Sequence, residues 1–75
     1  MSGSIPVVPG AKVVKALESA GFMVVRIAGS HHVMQHPDGR AATVPVHAGR
    51  DMPKGTLRNI LAIIGMTPDE FRTLL

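Results

Sequence analysis

The stretch that decides the fold is residues 22–46, FMVVRIAGSHHVMQHPDGRAATVPV. It contains three short runs separated by turn signals, of which the first is rich in β-branched residues and too short for a typical helix. The runs cover 22–28, 31–36 and 41–46. Residues 29–30, Gly-Ser, are typical of a tight hairpin turn, and residues 37–40, Pro-Asp-Gly-Arg, are a strong turn signal. The stretch therefore predicts a three-stranded antiparallel sheet.

Helical periodicity flanks this stretch on both sides. Over residues 11–20 and again over 56–64, apolar side chains recur at the spacing of one helix face. These side chains are Val13, Val14, Leu17 and Ala20 in the first segment, and Leu57, Ile60, Leu61 and Ile64 in the second. Gly21 and Gly65 are expected to end the two helices, and Thr56 to cap the second.

A third, short helix is expected after the capping box at residues 67–70, Thr-Pro-Asp-Glu, where proline takes the first helical position. The element order is then α-β-β-β-α-α. This order predicts an α+β domain of two layers, with a three-stranded antiparallel sheet and helices on one face. Residues 11–75 are expected to form this single domain, and residues 1–10 a flexible N-terminal segment.

The composition excludes several classes of protein. Hydrophobic residues make up 45% of the 75 residues and charged residues only 17%, which is typical of a globular domain and not of a disordered tail. The absence of cysteine excludes disulfides and thiol nucleophiles. No apolar run is long enough to span a bilayer and no signal peptide is evident, so we expect a cytoplasmic protein without a membrane partner.

The charge balance points to an anionic partner. Eight Lys and Arg against five Asp and Glu give a formal net charge of +3, which in so short a chain favours nucleic acid or an acidic protein. The chain has no Trp or Tyr. This argues against recognition by stacking of unpaired bases and favours contact with a nucleic-acid backbone.

Strand geometry assigns side chains to the two faces of the sheet. Turns of two and four residues pair Val25 with Met34 and His31 with Val46. The face expected to lie under the helices then carries Met23, Val25, Ile27, His32, Met34 and His36. The open face carries Arg26, His31 and Gln35. A one-residue slip or a bulge would reverse this assignment.

All four histidines fall between residues 31 and 47, yet their spacing does not favour a metal site. His31 and His32 are adjacent in a strand and point to opposite faces. His32 and His36 share a face but lie about 13 Å apart, at about 3.3 Å per residue. That separation is too large for two ligands that each bind zinc at about 2.0–2.1 Å. No metal or other cofactor is therefore expected.

His31 is the best candidate for chemistry. On the open face it lies beside a glycine turn, with Arg26 nearby and His47 at the adjoining strand end. An imidazole beside cationic groups suits general acid–base catalysis on a phosphodiester, in which it accepts the proton of a ribose 2′-hydroxyl or protonates the leaving 5′-oxygen. Arg and Lys would hold the phosphate. The alternative, favoured by spacing alone, is a polar strand histidine bonded to neighbours or solvent.

Residues 53–57, Pro-Lys-Gly-Thr-Leu, are a second candidate. They place Lys54, free backbone N–H groups and the Thr56 hydroxyl at a helix N-terminus, where an anion is favoured. The alternative is an ordinary helix entry. The spacing of a phosphate-binding P-loop is absent.

Five motifs, in order along the chain, resemble the HicA (YcfA-like) family, the toxin half of bacterial and archaeal toxin–antitoxin pairs. They are Gly21-Phe22, Gly29-Ser30-His31-His32, His36-Pro37-Asp38-Gly39-Arg40, Val44-Pro45-Val46-His47-Ala48-Gly49 and Pro53-Lys54-Gly55-Thr56-Leu57-Arg58-Asn59-Ile60-Leu61. The resemblance covers about residues 13–74. Met34 departs from it, since many relatives carry an aromatic residue there.

The resemblance implies a fold similar to a double-stranded-RNA-binding domain and a metal-independent endoribonuclease that cleaves mRNA. The histidine of the family's Gly-Ser-His motif maps to His31, with His32 as the fallback because the alignment can slide by one residue. The other site candidates are His47 as a proton-transfer assistant and, for RNA contact, Arg26, Lys54 and Arg58. The implied partner is a HicB antitoxin, and operator DNA is expected to be bound only through that partner.

Two further functions stay open at this point. One is a noncatalytic RNA-binding module of the same fold that reads duplex shape through its basic residues. The other is a small interaction domain whose positive charge serves only an acidic protein partner. RNA cleavage distinguishes the toxin from both. Salt-dependent RNA binding distinguishes the RNA-binding module from the protein-interaction domain.

Overall fold

The computed structural model describes residues 5–75 and shows two layers, a sheet and a set of helices. The elements are α1 (Gly10–Ser19), β1 (Met23–Ala28), β2 (His31–Gln35), β3 (Ala41–Pro45), α2 (Lys54–Ile64) and α3 (Pro68–Arg72). The strands form one antiparallel sheet in the order β1-β2-β3. The predicted order and the α+β architecture are confirmed.

The core lies between the helices and one face of the sheet. The predicted apolar stripes of the two longer helices are its main contributors: Val13, Val14 and Leu17 of α1 and all four stripe residues of α2 are buried. Met34, Ala42 and Val44 supply the sheet side, and Phe22 and Phe71 close the core. Aliphatic side chains therefore fill most of the interior, as the scarcity of aromatic residues requires.

The chain before α1 packs against the domain. Ile5 is buried in the core, the Met52 N–H donates to the Val8 carbonyl at 2.8 Å, and Pro9 forms a β-bridge with Asp51. Of the segment predicted to be flexible, residues 5–10 are thus in contact with the rest of the fold. Residues 1–4 lie outside the described residues.

The strand register differs from the prediction in two places. A β-bulge between Val24 and Arg26 makes Val24, not Val25, the partner of Met34. The second turn spans five residues, so Gln35 pairs with Ala41 and His31 with Pro45, where Val46 was expected.

These shifts correct the assignment of the sheet faces. Met23 and Val25 were expected under the helices, but Met23 lies on the open face and Val25 in the bulge, and they are 62% and 47% exposed. Ile27 stays on the helix side as expected, although it is 60% exposed. Val24 and Val44 point towards the core instead, because the bulge adds one residue to β1 and the longer turn moves β3 by one. Arg26, His31 and Gln35 are exposed as expected.

The helix ends follow the sequence signals with one exception. Gly65 ends α2 in the left-handed conformation, and Thr67 and Glu70 form the predicted capping box of α3. However, α2 begins at Lys54, two residues before the predicted start, and Thr56 is not its cap. The Leu57 N–H already donates to the Pro53 carbonyl at 3.1 Å, so Thr56 lies inside the first turn.

Both longer helices begin at the same end of the sheet. A Cβ atom on Gly10, the first residue of α1, would lie only 2.4 Å from the Pro45 carbonyl oxygen, so α1 starts against the end of β3. At the other end, side chains of the 36–40 turn bind the carbonyls of Ala20 and Ile64, where α1 and α2 finish. We call the first end, with the 29–30 turn and both helix N-termini, the hairpin end, and the second the turn end.

Candidate functional site

His31 is the first residue of β2 and lies at the hairpin end. It pairs with Ala28 on one side and Pro45 on the other, which fixes its side chain on the open face of the sheet. The side chain is exposed, and its ring makes no hydrogen bond to any of residues 5–75. The imidazole is therefore free to meet a ligand from solvent.

Arg26 lies on the same open face as His31. It pairs with Val33 and precedes Ala28, the partner of His31, by two residues. Diagonal neighbours of this kind are roughly 7–8 Å apart, within reach of a long guanidinium side chain. The regular register from the hairpin places Arg26 on this face, and the bulge at Val25 is what turns Val24 to the core. The predicted pair of an imidazole and a nearby cation is thus brought together.

His32 lies on the opposite, helix-covered face. It pairs with Val44 and Ile27 and is half-buried. Its Nδ1 atom is buried and has no hydrogen-bond partner among the described residues. A buried polar atom without a partner is unfavourable and marks this ring as unusual. The two adjacent histidines therefore differ in the face they occupy and in their access to solvent.

His36 belongs to the turn end and has a structural role. Its Nε2 lies 3.1 Å from the Ala20 carbonyl oxygen, and its Nδ1 accepts the Asp38 N–H at 3.1 Å. Because a carbonyl only accepts, these bonds place the ring proton on Nε2. The ring also packs edge-on against Phe22, with 5.0 Å between the ring centroids. His36 is occupied in holding the end of α1.

His47 follows β3 at the hairpin end. The preceding Val46 N–H donates to the Ser30 carbonyl at 2.7 Å, which holds the chain beside the hairpin turn. His47 is exposed and lines a small hollow of about 20 Å³ together with Gly10, Pro45 and Pro53. It shares the hairpin end with His31.

Further cations surround this end. Lys54 and Arg58 are exposed and one turn apart, so they lie on the same side of the first turns of α2. They belong to the helix layer, whereas Arg26 and His31 lie on the open face. Arg50, in the loop beside His47, is a further exposed cation that the predicted site did not include. Arg50 lies in the loop that joins β3 to α2 at the hairpin end, and this position in the sequence could have identified it as a site residue.

Charge is distributed unevenly between the two ends, and all charged side chains fall within the described part of the chain. Five of the eight cationic residues lie at or near the hairpin end: Lys12, Arg26, Arg50, Lys54 and Arg58. Of the five acidic residues only Asp51 lies there. The N-termini of α1 and α2 add partial positive charge at the same end. The hairpin end is therefore strongly electropositive.

The turn end carries acidic groups that are already bound. The Arg40 backbone N–H lies 3.0 Å from Asp38 and lowers the pKa of that carboxyl, with help from the Arg40 guanidinium 2.8 Å away. In α3, the Thr67 backbone N–H lowers the pKa of Glu70. Both carboxylates therefore already accept hydrogen bonds from groups of the domain.

The described residues also form a concavity beside α1. It has a volume of about 290 Å³, lies between α1 and the C-terminal residues and contains none of the histidines. Within residues 5–75, no group of three His, Asp or Glu residues is close enough to hold a metal ion. No helix there is long and apolar enough to cross a membrane.

The fold and the hairpin end define a small α+β domain with an exposed histidine on an electropositive surface. A family model for the HicA toxin of bacterial toxin–antitoxin systems matches residues 10–66. The match covers well over half of the chain, so the chain belongs to the HicA toxin family. It includes every residue of the predicted site. No curated protein matches the chain.

Proposed function

We propose that this protein is a toxin that cleaves mRNA as a metal-independent endoribonuclease, and that a HicB-type antitoxin neutralises it in the cytoplasm. Operator DNA would be bound only through that antitoxin. One observation carries the proposal: in a chain of the HicA toxin family, an exposed, unbonded histidine and most of the cations share one end. A polyanion with a cleavable phosphodiester is the ligand that this combination suits.

The proposed reaction is attack within the RNA strand. The His31 imidazole accepts the proton of a ribose 2′-hydroxyl, and the 2′-oxygen then bonds to the adjacent phosphorus. The bond from phosphorus to the 5′-oxygen breaks, and a proton from an imidazolium or from water neutralises the leaving oxygen. The products are a 2′,3′-cyclic phosphate and a 5′-hydroxyl. Cations at the hairpin end offset the charge that develops on the phosphate.

The other site residues have assigned parts in this proposal. Arg26 lies beside His31 and binds the phosphate, while Lys54 and Arg58 hold RNA that continues around the hairpin end. His47 is the proposed second proton-transfer group, because the Val46 bond to Ser30 keeps it at this end. A water molecule is the alternative in that role.

His32 is the alternative to His31 as the catalytic residue. Its unpartnered Nδ1 favours it, because a functional ring often lacks the bonds that a structural ring makes. The exposure of His31 on the open face, beside Arg26, favours His31 instead. The two rings point to opposite faces, so the substitution of each tests a different surface.

The test is digestion of a defined mRNA by the wild type, His31→Ala and His32→Ala in the presence of EDTA. We expect cleavage by the wild type, a loss of about 10²–10⁴-fold in one histidine variant, and a 5′-hydroxyl on the new fragment. Circular dichroism checks that each variant is folded. Full activity in both folded variants would contradict histidine catalysis, and loss of activity with EDTA would contradict metal independence.

The second candidate function is a noncatalytic RNA-binding module, which the electropositive hairpin end also favours. It predicts RNA binding that weakens steeply with salt and yields no fragments. Lys54→Ala and Arg58→Ala should each reduce the salt dependence of binding by about one counterion under either function. Only the appearance of fragments distinguishes the two.

A further inference from the structure

Strand β1 exposes an unusual amount of apolar surface. Met23, Val25 and Ile27 are 62%, 47% and 60% exposed. These three are half of the six large exposed hydrophobic residues in the described part of the chain, although β1 has only six residues. Single exposed apolar residues are ordinary, but several on one short strand are typical of a binding surface.

The three exposed side chains lie along the outer edge of β1 and not on one face of the sheet. β1 is the first strand of the sheet, and no segment within residues 5–75 pairs with its outer side. Met23 pairs with Gln35 on the open face, whereas Ile27 pairs with His32 on the helix side. A ligand lying flat on either face would cover only one of them. An extended segment lying along the edge contacts both.

β1 also has a stretch that can accept a further strand. Unpaired N–H and C=O groups on an edge are a template for strand addition unless the edge is blocked. The bulge at Val25 distorts the first half of the strand, but Arg26 to Ala28 pair regularly with β2. No proline or lysine interrupts β1. The regular stretch ends at the hairpin turn, next to His31.

The charge around β1 indicates which partner fits. Residues 19–37 contain no Asp or Glu, and Arg26 is the cation at the centre of the exposed row. In an antiparallel pairing of two copies centred on Arg26, the first residue of the regular stretch, Arg26 of each copy would face Arg26 of the other. The two guanidinium groups would then be neighbours without a carboxylate between them, which is unfavourable. An acidic partner supplies the missing carboxylate, and a second copy does not.

We infer that the edge of β1 is the docking site for an extended segment of the antitoxin that combines apolar and acidic residues. This inference rests on the proposed function, because it assigns a surface to the proposed partner. A segment paired with Arg26 to Ala28 ends beside the hairpin turn. It therefore obstructs the approach of RNA to His31 and neutralises Arg26.

The experiment uses a purified HicB-type protein as the probe and measures its Kd for the full chain. Ile27→Glu is the test variant. Ile63→Glu is the matched control, because Ile63 is also isoleucine, is 59% exposed and lies on α2 away from β1. We expect Ile27→Glu to raise the Kd at least about tenfold, the range for an interface anchor, and Ile63→Glu to leave it within about twofold. Both variants should still cleave RNA.

Two additional measurements examine the mode of binding. Ile27→Lys should weaken binding less than Ile27→Glu, because lysine still suits an acidic segment. Backbone amide exchange in β1 should slow when the antitoxin binds, while exchange in β3 stays the same. Met23→Glu, on the other face of the same strand, should also raise the Kd, and it serves if Ile27→Glu does not fold.

The outcomes separate this inference from the proposed function. If the wild type binds the antitoxin and cleaves RNA but the β1 variants bind equally well, the docking site is wrong and the proposed function stands. If Ile27→Glu lowers RNA binding and leaves antitoxin binding intact, the edge is an RNA surface and the inference is overturned. If the wild type does not bind the HicB-type protein, the partner assignment fails and the docking site fails with it.

Discussion

The hairpin end and the turn end of the sheet each carry histidine and arginine, but they bond them differently. At the turn end, His36 and Arg40 bind the last carbonyls of α1 and α2, the Asp38 N–H donates to the His36 ring, and the Asp38 carboxylate accepts from Arg40. At the hairpin end, His31 and Arg26 are exposed and have no side-chain hydrogen bond to any described residue. The same residue types stabilise the fold at one end and face solvent at the other.

This comparison shows why residue type alone does not locate a site. An imidazole whose two nitrogens are both bonded inside the fold has no atom left for a substrate. The geometry excludes His36 in this way and leaves His31, His32 and His47. Matched substitutions at the two ends test this difference.

The largest effect should come from replacing His31 and His36 with alanine, one at a time. His31→Ala should lower RNA cleavage by about 10²–10⁴-fold with little loss of stability, because the ring is exposed and unbonded. His36→Ala should lower the free energy of unfolding by about 1–2 kcal/mol through loss of its hydrogen bonds and the Phe22 contact. Its activity per folded molecule should persist. RNA digestion and urea unfolding measure the two effects, and the opposite pattern would contradict the division between the ends.

A second test uses two glycines with the same backbone conformation. Gly21 and Gly39 both have φ of +99°, so alanine at either position is strained by about 1–2 kcal/mol. A Cβ on Gly21 would also lie 2.8 Å from His36 Nε2, whereas one on Gly39 would meet nothing within 4 Å. Gly21→Ala should therefore destabilise the fold by about 1 kcal/mol more than Gly39→Ala, since it displaces the His36 ring from the Ala20 carbonyl. Equal urea midpoints for the two variants would show that the His36 ring moves aside without loss of stability.

A third and smaller effect is expected for Arg40→Ala. The guanidinium bonds to the Ile64 carbonyl at 2.9 Å and lies 5.1 Å from the Phe22 ring centre. Because the side chain is 38% exposed, solvent screens part of these interactions, and a loss of about 1 kcal/mol is expected. Arg58→Ala, at an exposed position at the hairpin end, should change the unfolding free energy by less than about 0.5 kcal/mol. A larger loss for Arg58→Ala would mean that the hairpin end is also part of the stabilising framework.

The sequence predicts the helices better than it predicts the sheet. The buried stripe of α2, from Leu57 to Ile64, follows directly from the helical period of the apolar residues. An error of one residue in where the helix begins or ends leaves this stripe unchanged. The period of a strand is two, so a single extra residue reverses its faces. The bulge at Val25 and the five-residue turn after Gln35 each add such a residue. Both depend on tertiary contacts, notably the bond from His36 to the Ala20 carbonyl, that no local pattern records.

For the candidate site, the exposure of His31 and Arg26 could be predicted from the sequence, but Arg50 and the arrangement of the cations could not. The position of His31 beside a glycine turn was enough to place it on the open face, and it survives both register shifts because the hairpin pairing of Ala28 with His31 is unchanged. Arg50 and Lys54 lie near the start of α1 because α1 and α2 both begin at the hairpin end of the sheet. That depends in turn on the contact between Gly10 and Pro45, which lie 35 residues apart in the chain.

The smallest predicted effect is a pH dependence confined to the turn end. The Arg40 backbone N–H and guanidinium hold the pKa of Asp38 below its ordinary value of 3.8. The unfolded chain therefore binds more protons than the folded one in this range, and stability is lost as the pH falls below about 4. Asp38→Asn removes this titration, so its urea midpoint should change less than that of the wild type between about pH 5 and pH 3, with the Glu70 contribution common to both. An equal change in both proteins would mean that Asp38 is not held by Arg40 in solution. It would also remove the main electrostatic distinction between the bound cation at this end and the free cations at the hairpin end.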